Sequence, residues 1–429
     1  MHKNCCFQQQ EDKEGDGMRF FHLADLHLGK SIYGKNLVDT GDQPRFVDDL
    51  LTLCDEVQPD ALLISGDVYD RSNPGNDAVA LFDRLIAGLN DRRIQVLVIS
   101  GNHDSGQRLS FASGILSREG VHICGTLSSQ LPCVRLQDEY GPVDFTLMPY
   151  LFPALVADVL GKEEIRDYET AIRSMLSTRC PDPAARNVLL AHQAVLFQGK
   201  AAEKGGSETM VGGVGEVSAE LFDGFDYVAL GHIHAGQIMG KPTVRYAGSP
   251  LAYHFDETRF PVKGPVLVTL GAKGEPPQIR VLPVRQLHPL RSVKGTVEQI
   301  LEDAQAAPRG EYLQVIIEGS RKTPEIDASL RSAYRAKDSE VLEMLSTFGL
   351  GAAGAGPAHE QIRAMGVDEL FSQFYEERMG QPMTALQQRI AREVAGQVAH
   401  APDDEKADQP DEADITRLLE LLRGEEERA

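Results

Sequence analysis

Three short apolar runs, each closing on a polar cluster, constrain the fold of this 429-residue chain more than any other feature. The run 19–24 leads into Asp25-Leu26-His27, 61–64 leads into Ser65-Gly66-Asp67, and 95–99 leads into Gly101-Asn102-His103-Asp104. Apolar runs of this length read as buried strands. Between them, Phe46, Leu50, Leu53 and Val57 mark one side of a helix predicted over 43–56, and a second helix is predicted over 78–89. Strand–helix–strand repeats form a parallel sheet with right-handed crossovers, which puts the three polar clusters on one edge. Open α/β sheets place their chemistry at that edge.

Further along, the chain turns β-rich, with strands predicted near 121 and over 144–149, 187–191, 227–230, 244–247 and 266–270. Two of these also close on histidine: one runs into His192, the other into Gly231-His232-Ile233-His234. The intervening 199–215, rich in Gly and charge, reads as a mobile loop. From 286 a new unit begins, with strands predicted over 288–293, 312–318 and 339–344 and helices over 297–304 and 326–334. Residues 349–357, mostly Gly and Ala, read as a linker. Beyond it, Val367, Leu370, Phe371, Phe374 and Tyr375, and then Leu386, Ile390, Val394 and Val398, fall at helical spacing.

The expected organisation is therefore an N-terminal extension over 1–17, a main domain over 18–285, a small α/β module over 286–348, the linker, helices over 358–400, and an acidic tail over 401–429 with one short amphipathic helix. The extension is expected to be disordered. Helices placed after a linker have little of their own chain to pack against and suggest a partner; folding back onto the main domain is the alternative.

Composition narrows the function classes. A net charge of -21 argues against coating nucleic acid through a global positive field, although it does not exclude a local site. Six cysteines show neither metal-ligand nor disulfide-framework spacing, which suits a reducing cytoplasm. No run approaches the length of a membrane span, and 1–17 lacks the apolar core that export requires.

The polar strand ends supply Asp25, His27, Asp67, Asn102, His103, His192, His232 and His234. Asp, Asn and imidazole without thiolate suit a hard to borderline divalent ion such as Mn, Fe or Zn. Seven of these residues could hold two ions about 4 Å apart with Asp67 shared, an arrangement suited to phosphoester hydrolysis. Each piece alone is equally consistent with a turn cap or a core histidine. Five pieces in this order, each just past a predicted strand, point instead to a metal centre.

The order Asp-x-His, Gly-Asp-x-x-Asp, Gly-Asn-His-Asp, His, Gly-His-x-His from Asp25 to His234 resembles the calcineurin-like metallophosphoesterases. Within that superfamily the chain is similar to the SbcD family of nuclease subunits. The likeness rests on 22–29, on 65–70, on 225–234 followed by Tyr246-Ala247-Gly248-Ser249-Pro250, and on Arg291-Ser292-Val293-Lys294-Gly295. It implies a two-sheet α/β/β/α sandwich with a small α/β capping domain and C-terminal helices. It further implies a manganese-dependent DNA exonuclease and endonuclease, a homodimer within a heterotetramer formed with an SbcC-type SMC-like ATPase. Carried over residue by residue, one metal is expected on Asp25, His27, Asp67 and His234, and the other on Asp67, Asn102, His192 and His232. His103 would protonate the leaving oxygen. Asp70 stands where archaeal and eukaryotic relatives carry histidine, and protein phosphatases use such an Asp to hold the corresponding histidine, so its carboxylate is expected on His103. Residues before Met18 match nothing in the family.

Two alternatives remain at this stage. A metallophosphodiesterase acting on a small nucleotide or phosphodiester would need neither cap nor terminal helices. A non-catalytic scaffold for the ATPase would not need the complete ligand set.

Overall fold

The computed structural model describes residues 17–179, 181–206 and 215–348, together with Ser372, Tyr375, Met383, Thr384, Gln387 and Gln388. Two six-stranded sheets face each other. The first runs Gln278–Val281, Val266–Leu270, Met18–Leu23, Ala61–Ser65, Gln95–Ile99, Val121–Cys124. Its four strands from Met18–Leu23 to Val121–Cys124 are parallel, as the crossovers require. The second runs Gln237–Met239, Lys241–Tyr246, Tyr227–Gly231, Arg186–His192, Gly141–Met148, Cys133–Asp138.

Alternation along the strands builds three apolar layers. Phe20, Leu63, Leu97 and Val268 meet Phe145, Val188, Leu190 and Tyr227 between the sheets. Phe21, Leu62, Ile64, Val96 and Val98 face outward onto Phe46, Leu50, Leu81 and Leu85 of the helices Asp42–Val57 and Asn76–Asp91. On the far side, Leu189, Val228 and Leu230 cluster with Val156, Ile172 and Met175 of the helices Pro153–Leu160 and Tyr168–Ser177. The result is the α/β/β/α sandwich expected from the sequence. Strands buried on both faces explain why these runs are continuously apolar.

The strand Cys133–Asp138 escapes a periodicity reading because it is a half-exposed edge, with only Val134 and Leu136 contributing to the inter-sheet layer. The helices Pro153–Leu160 and Tyr168–Ser177 are likewise new.

Past the sandwich, Leu290–Gly295, Tyr312–Ile317 and Glu340–Ser346 form a parallel three-stranded sheet, and the helices Val297–Ala306 and Pro324–Arg335 bring Ile300 and Leu330 into one cluster with Leu313 and Val315 of the sheet. Thr296 and Gln299 cap the first helix reciprocally. This module joins the sandwich where the backbone amide and Nδ1 of His288 both donate to the buried carboxylate of Asp42, at 2.9 and 2.8 Å. Tyr312 and Leu290 extend the sandwich's outer apolar layer.

Residues 349–429 make a second unit, of which six residues are described. Within it, Thr384 and Gln387 cap one another, and Gln387 Nε2 donates to the Tyr375 hydroxyl at 3.0 Å. The expected linker, most of the expected partner helices, the acidic tail and the N-terminal extension up to residue 16 lie outside the described residues, as does 207–214 of the Gly-rich loop. No helix among the described residues is long and apolar enough to cross a membrane.

Candidate metal centre

All nine residues singled out in the sequence lie at or just past the carboxyl ends of five strands, two from the second sheet and three from the first. The chain leaves those strands in a strained way. Asp25, His27, Asp67 and His232 all have positive φ, at 54°, 42°, 50° and 102°. Such backbone persists where its surroundings over-determine it. Here the amides of Asp25 and His27 donate to the carbonyls of Gly66 and Asp67 at 3.1 and 3.0 Å, stitching two turns together. Close approach also explains two glycines: a Cβ on Gly101 would meet Asp67 Oδ1 at 2.0 Å, and one on Gly66 would meet His192 Nδ1 at 2.2 Å.

Three sets of side chains converge closely enough to share a cation: Asp25, His27 and His234; His27, Asp67 and His103; Asp25, Asp67 and His192. Asp67 spans the groups. Its Oδ1 accepts the His103 amide at 2.9 Å, while Oδ2 lies 3.3 Å from His192 Nε2 and 3.6 Å from His27 Nε2. Asn102 Oδ1 sits 3.1 Å from His192 Nε2 and 3.0 Å from His232 Nδ1. Asp25, His27, Asp67, His192 and His234 are buried, whereas Asn102 is exposed and His103 and His232 are partly so. The centre is therefore a buried floor with an open mouth.

The donor set fits a divalent cation. Asp25 Oδ2 is buried and has no hydrogen-bond partner, although Oδ1 accepts the His232 amide at 2.9 Å. A buried carboxylate oxygen left unpaired is costly unless a cation compensates it. The Nε2 atoms of His27 and His234 face each other at 3.0 Å, close enough for both to bind one cation.

Electrostatics within the centre are strongly coupled. Burial raises the Asp25 pKa to about 6. Burial also opposes the charge on Asp67, yet His192, His27 and His103 hold its carboxyl well below the usual range. For His192, burial disfavours the proton, but the charges of Asp67 and Asp25 outweigh it and raise the pKa from 6.5 to about 9. Both ring nitrogens then donate, Nδ1 to the Ser65 carbonyl at 2.8 Å and Nε2 towards Asn102 and Asp67. A folded pKa above the unfolded one stabilises the fold fully below the unfolded value, and that contribution disappears as pH rises through the folded value. In EDTA, the melting temperature is expected to fall between about pH 6.5 and 9. Added divalent metal should remove the fall by replacing the Nε2 proton. Melting scans across that range check this, and a flat profile in EDTA would show that His192 carries no such proton.

One expected contact is absent. The carboxylate of Asp70 does not hold His103; the backbone carbonyl of Asp70 accepts from His103 Nδ1 instead, at 3.0 Å. The carboxylate turns the other way, 2.6 Å from Lys30 Nζ and 3.5 Å from His27 Nδ1. Leu28 and Tyr69 bridge the two turns, bringing Lys30 beside Asp70, and a lysine is the nearer and stronger counterion.

Other supports were not read from the sequence. Asp104 accepts the amides of Val68, Tyr69 and Gly101 at 3.1, 2.9 and 2.9 Å, locking the Asp67 turn to the His103 turn; its place in Gly-Asn-His-Asp was the available signal. Gln43 clamps the His27 turn, donating to the His27 carbonyl at 2.8 Å and accepting the Gly29 amide at 2.9 Å. Glu257 touches His234. Neither Gln43 nor Glu257 carries a local signal.

Residues 18–236, half of the chain, match the calcineurin-like phosphoesterase family. The chain belongs to that family. Residues 286–379 of this phosphoesterase match a second family, described as the type 5 capsule protein repressor C-terminal domain. The chain is 30% identical over 289 residues to the SbcD subunit of the nuclease SbcCD of Staphylococcus saprophyticus, covering 67% of this chain and 74% of that protein. Among solved structures, TT1561 of Thermus thermophilus overlaps 63% of this chain and 100% of its own, with 11% identity and a TM-score of 0.38. A dimetal phosphatase from Danio rerio overlaps 62% and 99%, with 11% identity and a TM-score of 0.34.

Proposed function

We propose that this phosphoesterase is a manganese-dependent DNA nuclease, an exonuclease on duplex ends and an endonuclease on single strands. In this reading it works as a homodimer within a heterotetramer with an SbcC-type SMC-like ATPase in the cytoplasm, in DNA repair and recombination. The observation that carries the chemistry is the convergence of five strand ends on a shared carboxylate, Asp67, beside the unpaired Asp25 oxygen. The likeness to a nuclease subunit supports the choice of DNA as substrate.

Asp25, His27, Asp67 and His234 would hold one ion, and Asp67, Asn102, His192 and His232 the other. Two divalent ions so held supply an easily deprotonated water and neutralise charge on the phosphoryl oxygens. The chain's own contribution is to place the proton donor. The Asp70 carbonyl fixes His103 Nδ1 as a donor, leaving Nε2 to deliver a proton to the leaving oxygen at the open mouth. The neutral Asn102 avoids over-charging the second ion's site.

Turnover of a linear duplex and of bis(4-nitrophenyl) phosphate, each with manganese and with or without the ATPase, tests this reading. Duplex degradation that needs the ATPase, beside ATPase-independent hydrolysis of the small diester, is the expected result. Hydrolysis confined to the small diester under all conditions would remove DNA as the substrate.

A further inference from the structure

Glu257 lies on the short 3-10 turn Phe255–Arg259 and is completely buried, although neither motif nor spacing draws attention to it. Oε1 accepts from His234 Nδ1 at 3.1 Å. Oε2 sits among three groups: the Ser249 hydroxyl at 3.0 Å, the Tyr253 amide at 3.2 Å and Lys263 Nζ at 2.9 Å. Lys263 also donates to the His234 carbonyl at 3.1 Å and to Ser249 Oγ at 2.7 Å. A buried ion pair is costly unless its remaining lone pairs and protons are satisfied, and here they are. The outcome is a rigid carboxylate with one oxygen aimed at one imidazole.

We propose that Glu257 is a positioning residue for the metal centre: its carboxylate fixes the tautomer and ring plane of His234, so that the Asp25/His27/His234 half holds its divalent cation more tightly than the Asn102/His192/His232 half. This rests on the metal assignment proposed above. An ionised carboxylate only accepts, so His234 Nδ1 must carry the hydrogen and Nε2 must present a lone pair. That lone pair points at His27 Nε2, 3.0 Å away. His27 has a weaker version of the same support, with the Asp70 carboxylate 3.5 Å behind its Nδ1. In the other half, His192 Nδ1 is backed by the neutral Ser65 carbonyl. A carboxylate behind a ligating imidazole strengthens it as a donor, and losing such a partner typically costs about 10- to 100-fold in metal affinity.

The test uses the full chain and manganese(II) chloride, with affinities from calorimetry and the paired or isolated state of the ions from electron paramagnetic resonance. Wild type should bind two ions as a spin-coupled pair. Glu257→Gln should weaken one ion by about 10- to 100-fold and leave the other within about twofold, so that at intermediate manganese the isolated-ion signal replaces the coupled one. Lys263→Met breaks the same buried cluster but keeps the carboxylate on His234, and should not weaken either ion. If Glu257→Gln does not fold by circular dichroism, the charge-balanced Glu257→Gln/Lys263→Met variant gives the same reading. Unchanged affinities in the Glu257 variants, equal weakening of both ions, or a Lys263→Met loss as large as that of Glu257→Gln would overturn the assignment. A wild type that takes up no manganese would overturn the metal centre itself, which separates the two failures.

Discussion

Asp67→Ala is expected to lose both metals together and to lower phosphodiester hydrolysis by at least about 10³-fold, since ions in such sites contribute several kcal/mol of charge stabilisation and each 1.4 kcal/mol is tenfold in rate. The size follows from position. One oxygen of Asp67 lies between His27 and His192, which belong to different halves of the centre, and the other holds the His103 amide. Removing the carboxylate therefore unties both halves and the turn that carries His103. His27→Ala supplies the contrast: it should weaken mainly one ion, because Asp67, Asn102, His192 and His232 stay in place. Metal content per chain after gel filtration decides the matter. Two ions retained in the Asp67 variant would end its role as the shared ligand.

If the proposed nuclease reading holds, His103→Asn should leave the fold and both metals intact but slow DNA cleavage by about 10²- to 10⁴-fold, the span that general acid catalysis supplies. The side chain lies at the mouth, and its amide bond to Asp67 is a backbone contact that asparagine keeps. A deoxyribose leaving oxygen needs a proton as it departs, whereas 4-nitrophenolate does not. On bis(4-nitrophenyl) phosphate the variant should therefore lose much less, under about tenfold. Equal losses on both substrates would indicate that His103 acts as a ligand or a structural prop. Because the Asp70 carboxylate is committed to Lys30, Asp70→Asn should not reproduce this leaving-group dependence.

The candidate site was legible to the extent that its residues sit next to their own strands. Asp25, Asp67 and Asn102 each follow an apolar run by only a few residues, and that run places them at a sheet edge whatever the rest of the chain does. The same locality made the parallel core strands readable, since burial on both faces leaves an unbroken apolar signature. The edge strand Cys133–Asp138, half-exposed and paired among the described residues only to Gly141–Met148, left no such mark.

By itself, then, the sequence determined the parallel core strands, the edge on which the chemistry gathers and the identity of the groups brought there, because these depend on local apolar patterning and on the chemistry of each side chain; the layer order of the sandwich came from the family resemblance. Only the tertiary structure decided what stands behind those groups. Asp70 faces Lys30 and not His103, because two turns from different strands bridge at Leu28 and Tyr69 and rotate its carboxylate away. Gln43 comes to the His27 turn from the start of a helix. Glu257 and Lys263 come to His234 from more than twenty residues along the chain. Such partners are set by where the backbone returns after other elements have packed, and a carbonyl or a carboxylate at the same sequence position can satisfy the same donor. No spacing along the chain distinguishes them.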